Sequence, residues 1–120
     1  MKTQTEGKWS FVFSILLKKH EDLWVAHCLE LDLVAAAPTR EEAESDILSI
    51  IDEQVRYCIT NNNMENLFRD APKEVWDEFR ACRQKTKPRR MEFVPTLDQT
   101  PPVSFVTNNC LSYRTESSVQ

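Results

Sequence analysis

From Trp9 to Lys18 the pattern of hydrophobic and polar positions has period two: Phe11, Phe13, Ile15 and Leu17 fall on one face, and Val12, Ser14, Leu16 and Lys18 on the other. An aromatic and β-branched run at period two is a strand, and apolar residues on both faces predict a central one. The polar stretch Lys19-His20-Glu21-Asp22 turns the chain. Leu23 to Leu29 then alternates again, with Trp24, Ala26 and Cys28 opposite Val25, His27 and Leu29. The two runs predict an antiparallel hairpin. Leu33-Val34-Ala35-Ala36-Ala37 gives a short third strand that Pro38 stops.

The period then lengthens to that of a helix. Thr39-Arg40-Glu41-Glu42 is a capping box, in which the threonine hydroxyl accepts from the Glu42 amide and the Glu42 carboxylate reaches back to the amide of Thr39. Apolar residues follow at Ala43, Ile47, Ile50, Ile51, Val55, Cys58 and Ile59, the stripe of a helix packed on a sheet. Glu41, Glu42, Glu44 and Asp46 early and Arg56 late suit the helix dipole. Asn61-Asn62-Asn63 ends the helix, asparagine supplying the left-handed turn that glycine usually supplies. A second helix is predicted from Pro72 to about Arg83, with Val75, Trp76 and Phe79 on one side and Met64, Leu67 and Phe68 tucked beneath it.

The remainder reads as short β-like pieces, Met91 to Val94, Val103 to Val106 and Leu111 to Tyr113, separated by Pro95, Pro101-Pro102 and Asn108-Asn109. The tail after Tyr113 reads as disordered. The predicted fold is therefore α+β, an antiparallel three- to four-stranded sheet in β-β-β-α order with an amphipathic helix on it, a second helix and a β-rich C-terminal extension. The segments are an α+β domain over 9–79, a basic connector over 80–90 and an extension over 91–120.

Charge separates along the same boundaries. Residues 1–79 hold eight Lys/Arg against sixteen Asp/Glu, residues 80–90 six against none, and residues 91–120 one against three. An acidic globule carries a basic cord. The single glycine, Gly7, excludes Walker loops, dinucleotide fingerprints and nucleophile elbows, which need glycine where backbone approaches a ligand. No window approaches the roughly 18 consecutive apolar residues of a membrane span, and Met1 to Glu6 lack the apolar run of a signal peptide, so a cytoplasmic protein is expected. Cys28, Cys58, Cys82 and Cys110 form no paired spacing and are expected as reduced thiols packed like small apolar groups.

Trp24, Ala26, Cys28, Glu30 and Asp32, followed by Thr39, Glu41, Glu42 and Ala43, resemble the HicB-like antitoxin family of toxin-antitoxin systems. The stretch Leu67 to Trp76 is similar to the second helix of members without a conventional DNA-binding tail. The resemblance spans Phe11 to Phe79 and implies a partial ribonuclease-H-like fold without catalysis, cofactor or metal. It also implies a role: binding a small HicA-like RNase toxin, an mRNA interferase whose RNA-binding surface and catalytic histidine are covered. A solitary homologue of such an antitoxin fits the same residues. Ala37-Pro38-Thr39 stands where the family has a glycine turn, and residues 91–120, with three prolines and no helical period, offer no operator-binding segment.

On this reading the partner-binding candidates are Glu30, Asp32, Glu41, Glu44 and Asp46, an acidic face for a surface built to hold phosphate. Short edge strands and the β-rich extension suggest a homodimer or tetramer. Two alternatives stand beside this reading. Arg83, Lys85, Lys87, Arg89 and Arg90 suit a stand-alone RNA-binding module, and Glu30, Asp32, Glu42 and Asp46 are the acids a metal-dependent nuclease would need. His27, alternating with core residues, is expected to pack or hydrogen-bond rather than to catalyse.

Overall fold

A computed structural model of the chain describes residues 2–5, 8–93 and 103–112, with side chains over 10–91 and 104–112. The predicted tail after Tyr113 and the breaks at Pro95 and Pro101-Pro102 lie outside these residues. The described elements are β1 (Lys2–Thr5), β2 (Lys8–His20), β3 (Leu23–Cys28), β4 (Leu33–Ala37), α1 (Arg40–Thr60), a 3₁₀ turn (Met64–Asn66), α2 (Lys73–Ala81), β5 (Gln84–Lys85), β6 (Arg89–Phe93) and β7 (Val103–Ser112). The α+β class and the β-β-β-α order of the central elements hold.

The sheet is wider than the N-terminal hairpin and is mixed rather than wholly antiparallel. Its order is β4-β3-β2-β7-β5, with β1 added beside the start of β2 and β6 beside the start of β7. β7 runs parallel to β2 in a register of Phe11 with Phe105 through Leu17 with Leu111. Asn108 and Asn109 therefore lie within a strand instead of dividing two, because Asn109 is buried and its amide reaches Glu44 on α1.

One face of β2 is covered from Phe11 to Leu17 and the other in part, which is why both faces of its sequence carry apolar residues. On one face Phe11, Phe13, Ile15 and Leu17 meet Ile47, Ile51 and Val55 of α1. On the other, Leu16 and Leu29 meet Ala71 and the Val75, Trp76 and Phe79 side of α2. Met64, Leu67 and Phe68 belong to the first of these clusters, not to the space under α2; Phe68 lies 6.2 Å from Phe11. Each fully buried large side chain contributes about 1.5–3 kcal/mol.

Local signals set the ends of α1. Thr39 accepts from the Glu42 amide at 3.1 Å, and the Glu42 carboxylate accepts from the Thr39 hydroxyl at 3.2 Å. Asn61 caps the C-terminal end and Asn62 takes φ 53°, the left-handed conformation assigned to the asparagine run. Cys82 and Cys110 are joined by a disulfide, contrary to four reduced thiols, because the β5–β7 pairing brings their Cα atoms to 6.3 Å. Cys28 and Cys58 are free and buried. Among the described residues no helix is long and apolar enough to cross a membrane.

Candidate partner-binding surface

The two outer edges of the sheet differ in chemistry. β4 is Leu-Val-Ala-Ala-Ala, with no charge and no proline, and among the described residues it pairs only with β3. Alternate residues of such a strand turn unpaired N–H and C=O groups outward, the template for another chain. Val34 is 51% exposed on this strand. A shallow groove of about 370 Å³ runs along it, lined by Ala35, Ala36, Asp46, Ser49, Ile50 and Glu53. The α1 residues in that list recur at helical spacing, so one face of the helix borders the strand with two carboxylates around Ile50. The opposite edge, β5 and β6, is blunted by Lys85, Lys87, Pro88, Arg89 and Arg90, the charge-and-proline pattern that discourages strand addition.

The five acids singled out in the sequence do not form one surface. Glu41 and Asp46 are exposed on α1. Glu44 is buried at 7% exposure, its carboxylate accepting from Arg89 at 2.9 Å and from Asn109 at 3.5 Å. Asp32 meets His27 Nε2 at 2.7 Å, the hydrogen-bonded role expected of that histidine.

Glu30 has a different task. β1 accompanies β2 as far as Phe11 and β3 joins at Ile15, which leaves a gap beside Ser14. The turn after β3 fills it: the Leu29 amide donates to the Ser14 carbonyl, while the Ser14 amide and hydroxyl donate to Glu30 at 2.7 and 2.9 Å. Burial raises the Glu30 carboxyl above its ordinary range, the nearby Asp70 adds to the rise, and the Ser14 bonds oppose it. A carboxyl with a raised folded pKa favours folding most when protonated, and that contribution is lost as pH rises through the folded pKa. Glu30→Gln keeps an acceptor for Ser14 and removes the titration. Urea unfolding of both proteins should therefore show the natural chain gaining on the variant as pH falls from about 7 to about 4. A constant difference across that range would refute the assignment.

Of the basic residues, Arg83, Lys85, Lys87 and Arg90 are exposed along the β5–β6 edge, while Arg89 is held by Glu44. Lys85 also lies over the Phe79 ring at 5.6 Å. Glu30, Asp32, Glu42 and Asp46 do not converge: among the described residues no three His, Cys, Asp or Glu side chains stand where they would hold a metal ion.

No family model, no curated protein and no solved structure matches this chain. Of the acids singled out in the sequence, only Asp46 lines the groove beside β4; Ser49, Glu53 and the open β4 edge were not among the candidates. The polar stripe Glu42, Asp46, Ser49, Glu53 at helical spacing was the available signal for the helix face. Which end strand stays unpaired is decided by long-range pairing and has no local signature.

Proposed function

We propose that this protein is a non-catalytic, HicB-like antitoxin, which neutralises a small HicA-like RNase by covering its RNA-binding surface. The observation that carries the reading is the uncharged β4 edge, unpaired among the described residues, beside Asp46 and Glu53. Backbone groups on such an edge give affinity through strand addition, and the flanking carboxylates select a cationic partner. A surface built to grip RNA phosphates is cationic, so the toxin named by the sequence resemblance has the complementary chemistry. A solitary homologue would use the same edge for another basic protein.

Pairing of two copies through β4 is disfavoured, because an antiparallel twofold brings α1 of each copy alongside the other and sets Asp46 and Glu53 against their like charges. A homodimer or tetramer, also part of this proposal, uses other surfaces.

Co-expression with a HicA-like RNase should restore growth, and the purified pair should bind. Val34→Lys, which places a charge on the open edge, and the pair Asp46→Lys with Glu53→Lys should each weaken binding by roughly tenfold or more while the fold, checked by circular dichroism, persists. Unchanged affinity in both folded variants, or no binding by the natural chain, would sink this reading. Single-stranded RNA serves as the second arm of the same titration. The exposed cations of the β5–β6 edge favour RNA contact as the second reading, and salt-sensitive RNA binding without toxin binding would put it first.

A further inference from the structure

The corner between α2 and β5 holds a second, larger groove of about 640 Å³, lined among others by Glu78, Cys82, Arg83, Lys85, Leu111 and Ser112. Cys82 caps the end of α2 and is partly exposed at the groove, while its disulfide partner Cys110 is fully buried in β7. Lys85 is the cross-strand partner of Cys110. Glu78, the acid in the lining, is already engaged by Lys18 at 3.1 Å and by the Ser112 hydroxyl at 2.7 Å, so it does not cancel the charge of Arg83 and Lys85. A disulfide with one cysteine lining a cationic groove and the other sealed in a strand is asymmetric towards an incoming nucleophile.

We propose that the Cys82–Cys110 disulfide is a thiol-exchange site for a small thiol that carries carboxylates, the class to which glutathione belongs. The thiolate of the small molecule attacks Cys82 Sγ, forming a mixed disulfide as the Cys82–Cys110 bond breaks. The electron pair stays on Cys110 Sγ, beside its cross-strand Lys85, and a proton from solvent completes the thiol. A second small thiolate attacks the outer sulfur of the mixed disulfide and releases the oxidised small molecule and the Cys82 thiolate, which takes up a proton. Two small thiols and one protein disulfide thus become one small disulfide and two protein thiols. Arg83 and Lys85 draw the carboxylates into the groove and raise the local concentration of the attacking anion. Cys28 and Cys58 stand outside this chemistry, because burial pushes both thiols up and disfavours their thiolates.

The experiment uses the oxidised full chain, with glutathione and uncharged 2-mercaptoethanol as probes and rates referred to thiolate concentration. Acid quenching and peptide mass analysis should find the glutathione adduct on Cys82 with Cys110 alkylatable. Arg83→Glu with Lys85→Glu should slow glutathione about tenfold and leave 2-mercaptoethanol nearly unchanged. In the natural chain, added salt should remove the preference for glutathione, a reading that does not depend on the variant folding. An adduct on Cys110, equal rates and salt responses for the two probes, or a disulfide that neither probe reduces would each overturn the proposal.

Discussion

Phe13→Ala is expected to lower the unfolding free energy by about 3–5 kcal/mol, enough to leave a domain of this size close to unfolding at 25 °C. Phe13 has no exposed surface and sits at the centre of β2, with ring centroids 5.6 Å from both Phe11 and Phe105. One ring therefore joins the central strand to its parallel neighbour β7. Removing it leaves a cavity that close packing around α1 and two strands cannot collapse to fill, so the cost should fall at the top of the range for large-to-small changes. Val12→Ala, one residue away on the other face and 45% exposed, should cost less than about 1 kcal/mol. Urea titrations followed by tryptophan fluorescence measure both. Similar losses at the two positions would mean that the two faces of β2 are not packed as described.

Loss of the Cys82–Cys110 bond should remove about 3–4 kcal/mol. The bond closes a loop between residues separated by 28 positions, and chain-entropy arguments for a loop of that length give a value in this range. Cys82→Ser with Cys110→Ala removes the bond without burying a hydroxyl at the sealed position. At ordinary urea sensitivities the midpoint should fall by about 2 M, and reductant should then have no further effect. A variant that unfolds at the same midpoint as the oxidised natural chain would show that the bond contributes nothing to stability. The loss is expected to concentrate at the end of α2, whose nine residues include none that is fully buried.

Local signals carried much of the fold. Period two marked β2 and β3, a short apolar run stopped by proline marked β4, and the 3.6-residue stripe with its capping box marked α1, because neighbours in sequence determine these patterns. What escaped was non-local. β1 is Lys-Thr-Gln-Thr and β5 is Gln-Lys, segments without the alternation that marks a half-buried strand; they are strands because a partner edge was open. The parallel partnership of β2 with β7 crosses about ninety residues of sequence. The disulfide depends on another pairing outside the reach of local pattern, since Cys110 meets Cys82 only once β7 lies beside β5.

The acids show the same division at the level of the site. Asp46 and Glu44 are two residues apart on one helix, and composition treats them alike. One borders the open groove and the other is buried against Arg89. Only the rotation of α1 against the sheet separates them. Glu30 was read as a binding residue from its place in a motif, yet its carboxylate bridges a gap in strand pairing.

The parallel strand also orders the birth of the protein. During synthesis β2 emerges early, but β7, which pairs along its far edge, comes after both helices. Until residues 103–112 appear, the ten residues of β2 from Trp9 to Lys18 offer an unpaired margin beside a half-built core, while α1 and α2 are already made. Long-range pairing of this kind slows folding, and a nascent chain waiting for it is open to joining another copy. A pause or truncation before Val103 would thus be more harmful than its distance from the β4 edge suggests. The vulnerable interval is set by topology, not by the stability of the finished fold.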